Sequence, residues 1–85
     1  MTKNKLWFVY ILRCADDSLY TGITTDIDRR LHEHNNTKLG ARYTRARRPV
    51  ELEWHESLNN RSEAQKREVA IKSLSRQQKL LLIKS

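Results

Sequence analysis

The sequence predicts an α+β fold in which three strands and three helices form one domain spanning residues 1–85. Three observations support this class. Residues 7–13 are almost continuously apolar and rich in aromatic and β-branched side chains, as in a strand covered on both faces. Residues 50–55 alternate between apolar and polar side chains, which is typical of a half-exposed strand at a sheet edge. Two Ser-x-x-Gln patterns, starting at Ser62 and Ser75, are capping boxes that predict two helices.

The first two strands are predicted to form an antiparallel hairpin. A turn-prone Ala-Asp-Asp-Ser cluster separates the apolar run, which should be a central strand, from a short strand pattern at 19–23. Tyr10 and Tyr20 therefore lie on neighbouring strands. Because side chains alternate along a strand, Tyr10 shares one face of the sheet with Phe8 and Leu12.

The first helix is predicted over residues 27–34, after a run of N-cap candidates that ends at Asp26. At ~100° per residue, His34 falls within the apolar stripe of this helix. Arg30 lies at the edge of the stripe, whereas Arg29 points away from it. The two adjacent arginines are thus expected to have different surroundings.

A strongly basic segment, residues 35–48, follows the first helix. It has neither helical nor strand periodicity and contains no acid, so we predict a surface loop or loosely wound segment that ends at Pro49. Several cations with a tyrosine among them suit phosphate contacts and base stacking. The predicted nucleic-acid-binding residues are Lys38, Arg42, Tyr43, Arg45, Arg47 and Arg48.

The helix predicted from Ser62 to about Ser73 carries a carboxylate where an apolar side chain is expected. Ala64, Glu68 and Ile71 follow the i, i+4, i+7 spacing of one helix face, so Glu68 lies at the centre of the stripe that faces the core. An ion pair within the helix is the simpler alternative for this carboxylate. Its place between two apolar positions argues against a purely exposed pair.

The charge balance predicts a polyanionic partner. Seventeen Lys and Arg residues stand against ten Asp and Glu, which gives a net charge of +7. We therefore expect nucleic acid as the partner, and a charge excess that only maintains solubility is the alternative. The sequence has a single cysteine, Cys14, no N-terminal leader and no apolar run near the ~20 residues that cross a bilayer. We expect a cytoplasmic protein without disulfides or membrane contact.

Three of these side chains, Arg30, His34 and Glu68, lie in or beside apolar stripes and need a partner or a ligand. Arginine binds phosphate oxygens in a forked geometry and remains charged. A carboxylate is a hard oxygen ligand for Mg²⁺ or Mn²⁺, and one is enough when phosphates and waters complete the shell. Residue by residue, simpler interpretations stay open: a packed tyrosine pair, a solvated arginine and a hydrogen-bonded histidine.

Two short motifs resemble the signature triplets of the GIY-YIG nuclease family. Phe8-Val9-Tyr10 is similar to the first triplet, with phenylalanine in place of the first glycine, and Tyr20-Thr21-Gly22 is similar to the second. The resemblance extends from about Trp7 to Leu82. It is closest to the small stand-alone bacterial branch of the family.

Two later motifs add to the resemblance. Arg30 and His34 have the R-x-x-x-H spacing of the first helix of the family. Glu63 and Glu68 resemble the ends of its later E-A-x-x-x-E motif, whose second acid is the metal ligand in the family. The asparagine that many members carry beyond this acid has no counterpart, because Leu80 stands near that distance.

The resemblance implies a three-stranded antiparallel sheet flanked by helices, with the site on one face of the sheet. It also implies that Tyr10 takes the proton from the attacking water, that Tyr20 assists by hydrogen bonding and that Arg30 clamps the scissile phosphate. His34 would support the pocket, and Glu68 would hold one divalent metal ion, Mg²⁺ or Mn²⁺. The implied catalytic residues are Tyr10, Tyr20, Arg30, His34 and Glu68.

We therefore predict a metal-dependent DNA endonuclease, directed by DNA structure rather than by sequence because no separate reading module is present. A role in repair or recombination is the expected context, with RNA as a second possible substrate, no small-molecule cofactor, and a monomer or weak dimer. Two alternatives stay open. One is a non-catalytic nucleic-acid-binding module that kept the fold, and the other is a subunit that docks through its leucine-rich C-terminal helix.

Overall fold

The three strands form one antiparallel sheet in the order β2-β1-β3, in a computed structural model that describes residues 5–85. The predicted α+β class and the central position of the first strand are confirmed. Among the described residues, no helix is long and apolar enough to cross a membrane. The elements are β1 Trp7–Arg13, β2 Leu19–Thr24, α1 Ile27–Asn36, α2 Arg42–Arg45, β3 Glu51–Leu58, α3 Arg61–Lys72 and α4 Arg76–Lys84.

The sheet separates two apolar clusters, one on each face. Tyr10 and Leu12 of β1 pack with Val50 on the face that α1 covers. The alternate β1 residues Val9 and Ile11 are fully buried on the other face, which α3 and α4 cover. Each fully buried aliphatic side chain contributes about 1.5–3 kcal/mol through removal of apolar surface from water. The period-2 pattern of β1 therefore decides which layer of helices each residue meets.

A β-bulge in β3 overturns part of the predicted alternation. The register shifts between Ile11, which pairs with Trp54, and Leu12, which pairs with Leu52, so Glu53 has no partner in β1. Strict alternation predicts Leu52 and Trp54 on one face, and this prediction is wrong. Leu52 packs in the cluster that contains Tyr10, and Trp54 packs on the opposite face.

Side-chain caps define where the helices begin. Asp26 caps α1 and Ser75 caps α4 with a complete capping box, as predicted. The prediction that Ser62 caps α3 is wrong, because Asn60 accepts the backbone N–H of Glu63 at 2.9 Å. Asparagine is at least as good an N-cap as serine, so the earlier of the two polar residues begins the helix.

The basic segment is held more tightly than a loose loop. Residues 42–45 form one helical turn, and the Arg48 guanidinium donates to the backbone oxygens of His34 at 2.6 Å, Glu33 at 3.2 Å and Thr37. A Cβ atom at Gly40 would lie 2.7 Å from the Glu33 oxygen, so only glycine allows this close approach. The segment therefore packs against the C-terminal end of α1.

Candidate active site

Tyr10 lies at the centre of the candidate site. Its side chain is 2 % exposed, and its hydroxyl lies 2.8 Å from Nε2 of His34. Gly22 stands opposite Tyr10 in β2, and a Cβ atom there would lie 2.6 Å from the Tyr10 hydroxyl. The glycine of the Tyr20-Thr21-Gly22 motif therefore leaves the space that the phenol occupies.

His34 connects Tyr10 to the basic segment. Its ring is fully buried, and Nδ1 lies 2.7 Å from the hydroxyl of Thr44, a residue of α2. The Thr44 hydroxyl also donates to the backbone oxygen of Ala41 at 2.9 Å. Both ring nitrogens of His34 therefore have a partner, and three buried side chains form one hydrogen-bonded chain.

Burial keeps both ends of the Tyr10–His34 bond uncharged in the free protein. Burial, reinforced by Tyr20, raises the pKa of Tyr10 to about 12, while Arg30 acts in the opposite direction. Burial, reinforced by Arg30, lowers the pKa of His34 to about 4. At neutral pH the site thus contains a phenol and a neutral imidazole, which is a pair able to pass a hydrogen from one to the other.

Arg30, which acts on the Tyr10 hydroxyl, also lines an open cavity. Its Nη1 donates to Oε1 of Glu33 at 2.9 Å and to the backbone oxygen of Leu39 at 2.7 Å, which fixes the guanidinium. The cavity, of about 340 Å³, is also lined by Arg29 and Thr24. As predicted, the Arg29 side chain is the more exposed of the two, at 59 % against 25 % for Arg30.

Tyr20 joins the buried pair to the exposed part of the basic segment. Its ring meets His34 edge to face at a centroid distance of 5.3 Å and stacks on Tyr43 at 6.0 Å. The Arg47 guanidinium lies 3.8 Å above the Tyr43 ring, and its Nε donates to Asp16 at 3.0 Å. A continuous row of rings and one guanidinium thus runs from the buried histidine to the surface.

Glu68 lies on α3, a helix that packs on the face of the sheet opposite Tyr10. Helix α3 buries Ala64 and Ile71, and Ile71 packs on the face opposite Tyr10. The Glu68 side chain is 20 % exposed, its Oε2 lies 3.2 Å from Nζ of Lys72, and its charge contributes to the raised pKa of Tyr10. Helix α3 thus belongs to the layer opposite α1, while the charge of Glu68 still acts on the Tyr10 hydroxyl.

A divalent metal fits this site only as a one-carboxylate site. Within residues 5–85, no group of three or more His, Cys, Asp or Glu residues is arranged to hold a metal ion. The half-buried Glu68 carboxylate supplies one hard oxygen ligand, and its charge acts on the Tyr10 hydroxyl. Mg²⁺ is commonly held by one or two carboxylates together with substrate phosphates and waters, so the donor set is compatible with Mg²⁺ or Mn²⁺.

The predicted nucleic-acid-binding residues fall into two groups. Lys38, Arg42 and Arg45 are exposed, and within the described chain none of them forms an ion pair. Arg47 and Arg48 instead make internal contacts, the first with Asp16 and the second with the end of α1. Tyr43 is 38 % exposed beside them.

Thr44 is the residue that sequence reasoning missed. It lies between two exposed residues, Tyr43 and Arg45, in a segment without periodicity, yet it is fully buried. Its burial results from the docking of the segment against α1, which no local pattern reports. A small hydroxyl residue between two bulky side chains is the sole local signal.

The fold and this set of side chains define the class of protein. Two strands of the antiparallel sheet carry Tyr10 and Tyr20, α1 carries Arg30 and His34, and α3 carries Glu68, which is the set of residues that the resemblance to GIY-YIG nucleases implies. The family model of the GIY-YIG catalytic domain matches residues 6–80. The chain belongs to the GIY-YIG family, and this membership supports a nuclease-like role on nucleic acid.

Several known proteins are similar to this chain in sequence, and two solved structures are similar to it in fold. The chain is 58 % identical over 84 residues to a UPF0213 protein of Desulfotalea psychrophila, covering 99 % of this chain and 76 % of that protein. A UPF0213 protein of Syntrophus aciditrophicus is 52 % identical over 84 residues, with 99 % and 93 % covered. The solution NMR structure of a UPF0213 protein from Bacillus halodurans is 43 % identical, covers 93 % of this chain and 83 % of that one, and gives a TM-score of 0.60. The solution NMR structure of a protein from E. faecalis is 45 % identical in sequence. It covers 96 % of this chain and 88 % of that one, with a TM-score of 0.62.

Proposed function

We propose that this protein is a divalent-metal-dependent DNA endonuclease that hydrolyses phosphodiester bonds. The observation that carries the proposal is the buried 2.8 Å hydrogen bond between the Tyr10 hydroxyl and His34 Nε2, beside the charges of Arg30 and Glu68. A tyrosine that only packs in the core needs one hydrogen-bond partner for its hydroxyl. It does not also need the charges of an arginine and a carboxylate to act on that hydroxyl. This arrangement suits proton transfer next to a phosphate.

The proton-transfer step uses Tyr10 and His34. A water attacks the phosphorus, and the Tyr10 oxygen accepts the proton of the water while the phenolic hydrogen passes to His34. The new bond joins the water oxygen to phosphorus, the bond to the leaving sugar oxygen breaks, and that oxygen takes a proton from solvent. The negative phosphate in the pocket favours the cationic form of His34, which burial alone disfavours.

Arg30 supplies the positive charge at the phosphate. Its guanidinium is fixed by Glu33 and Leu39 and lines the open cavity, so it is positioned before a substrate arrives. A fixed cation stabilises charge that builds up on phosphate oxygens in the transition state without reorganising during the reaction. Tyr20, whose ring contacts His34 edge to face, orients the attacking water by hydrogen bonding.

Glu68 would hold the metal ion. When bound, a divalent cation next to the phosphate polarises its oxygens and offsets the charge of the transition state. The chain contributes the carboxylate and its orientation on α3. Lys72, whose ammonium is 3.2 Å from the carboxylate, would give up this ion pair to the metal.

The exposed cations of the basic segment bind the DNA backbone. Lys38, Arg42 and Arg45 project from the segment that also buries Thr44, so phosphates bound there lie next to the pocket. Such contacts position DNA without reading its sequence, and binding weakens steeply as salt concentration rises. We therefore propose that branched, nicked or single-stranded structure directs cleavage, in repair or recombination.

The first test is cleavage of labelled duplex, nicked, branched and single-stranded DNA and of RNA with Mg²⁺, Mn²⁺ or a chelator. We expect metal-dependent products from the parent protein and none from Glu68→Ala or Arg30→Ala. Circular dichroism and salt-dependent binding controls establish that each variant is folded and still binds DNA. Intact substrates together with binding that Glu68→Ala leaves unchanged would support the non-catalytic binding module instead.

A further inference from the structure

The hydrogen atoms available in the hydrogen-bonded chain of the candidate site determine which group donates in each bond. It runs from the Tyr10 hydroxyl through both ring nitrogens of His34 to the Thr44 hydroxyl and the backbone oxygen of Ala41. A neutral imidazole carries one N–H, on either Nδ1 or Nε2, and each hydroxyl carries one hydrogen. The groups at the two ends of the chain therefore decide which ring nitrogen is protonated.

The Ala41 end of the chain fixes the role of Thr44. A carbonyl oxygen only accepts, and the Thr44 hydroxyl lies 2.9 Å from that of Ala41 and donates to it. With its single hydrogen committed, the Thr44 oxygen accepts a hydrogen bond at 2.7 Å from Nδ1 of His34. Nδ1 therefore carries the hydrogen, and Nε2 has a free lone pair.

The Tyr10 end leads independently to the same assignment. The phenol is 2 % exposed, and His34 Nε2 is the acceptor within hydrogen-bond distance of it among residues 5–85. Arg30, which acts on the same hydroxyl, has donors only. If Nε2 carried the hydrogen, the buried Tyr10 hydrogen would have no acceptor, which is unfavourable. With the hydrogen on Nδ1, every group in the chain is satisfied.

We propose that Thr44 is a positioning residue that holds His34 in the Nδ1–H tautomer and so makes Tyr10 the donor to Nε2. Its catalytic consequence depends on the proposed nuclease function. In this tautomer the phenolic hydrogen has an acceptor ready, and the phenol oxygen is free to take a proton from water. In the other tautomer His34 already donates to Tyr10 and is unable to receive its hydrogen.

The tautomer itself is measured by long-range ¹H–¹⁵N correlation NMR of the histidine rings at neutral pH. The chain has three histidines, and His32 and His55 are exposed and serve as internal references. His34→Gln identifies the signals of the third. We expect hydrogen on Nδ1 of His34 in the parent protein and in Thr44→Ser, and a mixture of tautomers in Thr44→Val, which keeps the shape but removes the hydroxyl.

The kinetic arm compares the same variants on whichever DNA the parent protein cleaves. Thr44→Val should lower kcat by about 100-fold, the lower end of the contribution of a positioned proton acceptor, and leave KM within about twofold. Thr44→Ser should restore most of kcat. Equal losses in the serine and valine variants would overturn the proposal, because a packing role would not distinguish them by the hydroxyl.

The tautomer arm decides the proposal even if Thr44→Val fails to fold or the protein cleaves nothing. Hydrogen on Nε2 of His34 in the parent protein would overturn the proposal without any substitution. An unchanged tautomer in a folded Thr44→Val protein would also overturn it. Hydrogen on Nδ1 that becomes mixed in Thr44→Val, in a protein without cleavage, would support the role of Thr44 and contradict the proposed nuclease.

Discussion

The two sides of the candidate site are built in different ways. On one side, Tyr10, His34 and Thr44 are almost completely buried and satisfy one another by hydrogen bonds before any ligand arrives. On the other side, the Glu68 carboxylate of α3 is 20 % exposed. Its partner is the ammonium of Lys72, which ends a long and flexible side chain. The buried side is tied to folding, whereas the open side is free to change its partner. Substitutions on the two sides should therefore separate effects on stability from effects on chemistry.

The largest effect is expected at the open side. Glu68→Gln removes the charge that would hold the metal, and we expect cleavage to fall by at least about 1000-fold, or about 4 kcal/mol of transition-state stabilisation. The free energy of unfolding should change by no more than about 0.5 kcal/mol, because glutamine keeps the size of the side chain and only one i,i+4 ion pair, with Lys72, is lost. Cleavage rates and urea unfolding measure the two quantities.

Glu63→Gln is the matched control for this variant. Glu63 lies in the first turn of the same helix, where its carboxylate accepts the backbone N–H of Asn59 at 3.3 Å. Its loss should leave cleavage unchanged. A Glu68→Gln protein that unfolds more easily by several kcal/mol would contradict the separation of the two sides.

The pH dependence of stability tests the buried side. The pKa of His34 is about 4 in the folded protein, against about 6.5 in an unfolded chain, so the unfolded chain takes up a proton first as pH falls. The stability associated with neutral His34 is complete above pH ~6.5 and is lost as pH falls through ~4, by up to about 3 kcal/mol. Urea unfolding between pH 7 and 4 measures this slope.

Carboxylates also titrate in this range, so the informative quantity is the difference between the parent protein and His34→Gln. The variant keeps a polar side chain but has no titrating ring. We expect the unfolding free energy of the parent to fall more steeply than that of the variant between pH 6.5 and 4. Parallel curves would indicate that His34 is no more buried than an ordinary surface histidine.

Tyr10→Phe should combine both kinds of effect. Removal of the hydroxyl leaves Nε2 of buried His34 without its partner, which costs about 1–3 kcal/mol of stability. Cleavage should fall by about 100-fold because the proton acceptor for water is lost. Glu68→Gln, measured in the same way, should lower cleavage and leave the free energy of unfolding nearly unchanged. A Tyr10→Phe protein of parental stability would remove the distinction between the two sides.

The smallest effect is expected at Lys72. Its ammonium competes with a metal ion for the Glu68 carboxylate, and an i,i+4 helix pair of this kind contributes about 0.3–0.5 kcal/mol. Lys72→Ala should therefore lower the Mg²⁺ concentration for half-maximal cleavage by about twofold. Lys66→Ala, on an exposed position of the same helix, is the control for a general change in charge. Equal effects in both variants would indicate that only the lower positive charge of the protein matters, and not the loss of the Glu68–Lys72 pair.

Periodicity predicted the parts of the molecule that local spacing determines. The alternation of β1 placed Tyr10 and Leu12 on one face, and helical spacing separated Arg29 from Arg30. Alternation failed in β3 because the extra residue of the bulge, Glu53, looks like any other polar position in sequence. The register of a strand depends on its neighbour as well as on its own pattern.

The site residues show the same division. The motif resemblance named Tyr10, Tyr20, Arg30, His34 and Glu68, and their roles stay predictions until the variants are measured. The buried state of Thr44 was not predictable, because it depends on contacts across the fold. Arg48 donates to the backbone at the end of α1. The Asn35 amide accepts the backbone N–H of Val50 at 2.7 Å and donates to the Val50 oxygen at 3.0 Å. Residues distant in sequence thus fix the turn in which Thr44 is buried.

The single turn α2 has a consequence for how this domain can change over time. Its exposed side chains, Arg42, Tyr43 and Arg45, face solvent, while Thr44 in the same turn contacts the buried histidine. Surface loops carry binding residues and tolerate insertions and deletions, so exchange of a loop can bring a new substrate preference. Here such an exchange would also remove the hydroxyl that His34 contacts, so variation in this segment should proceed by single exposed residues around a retained hydroxyl.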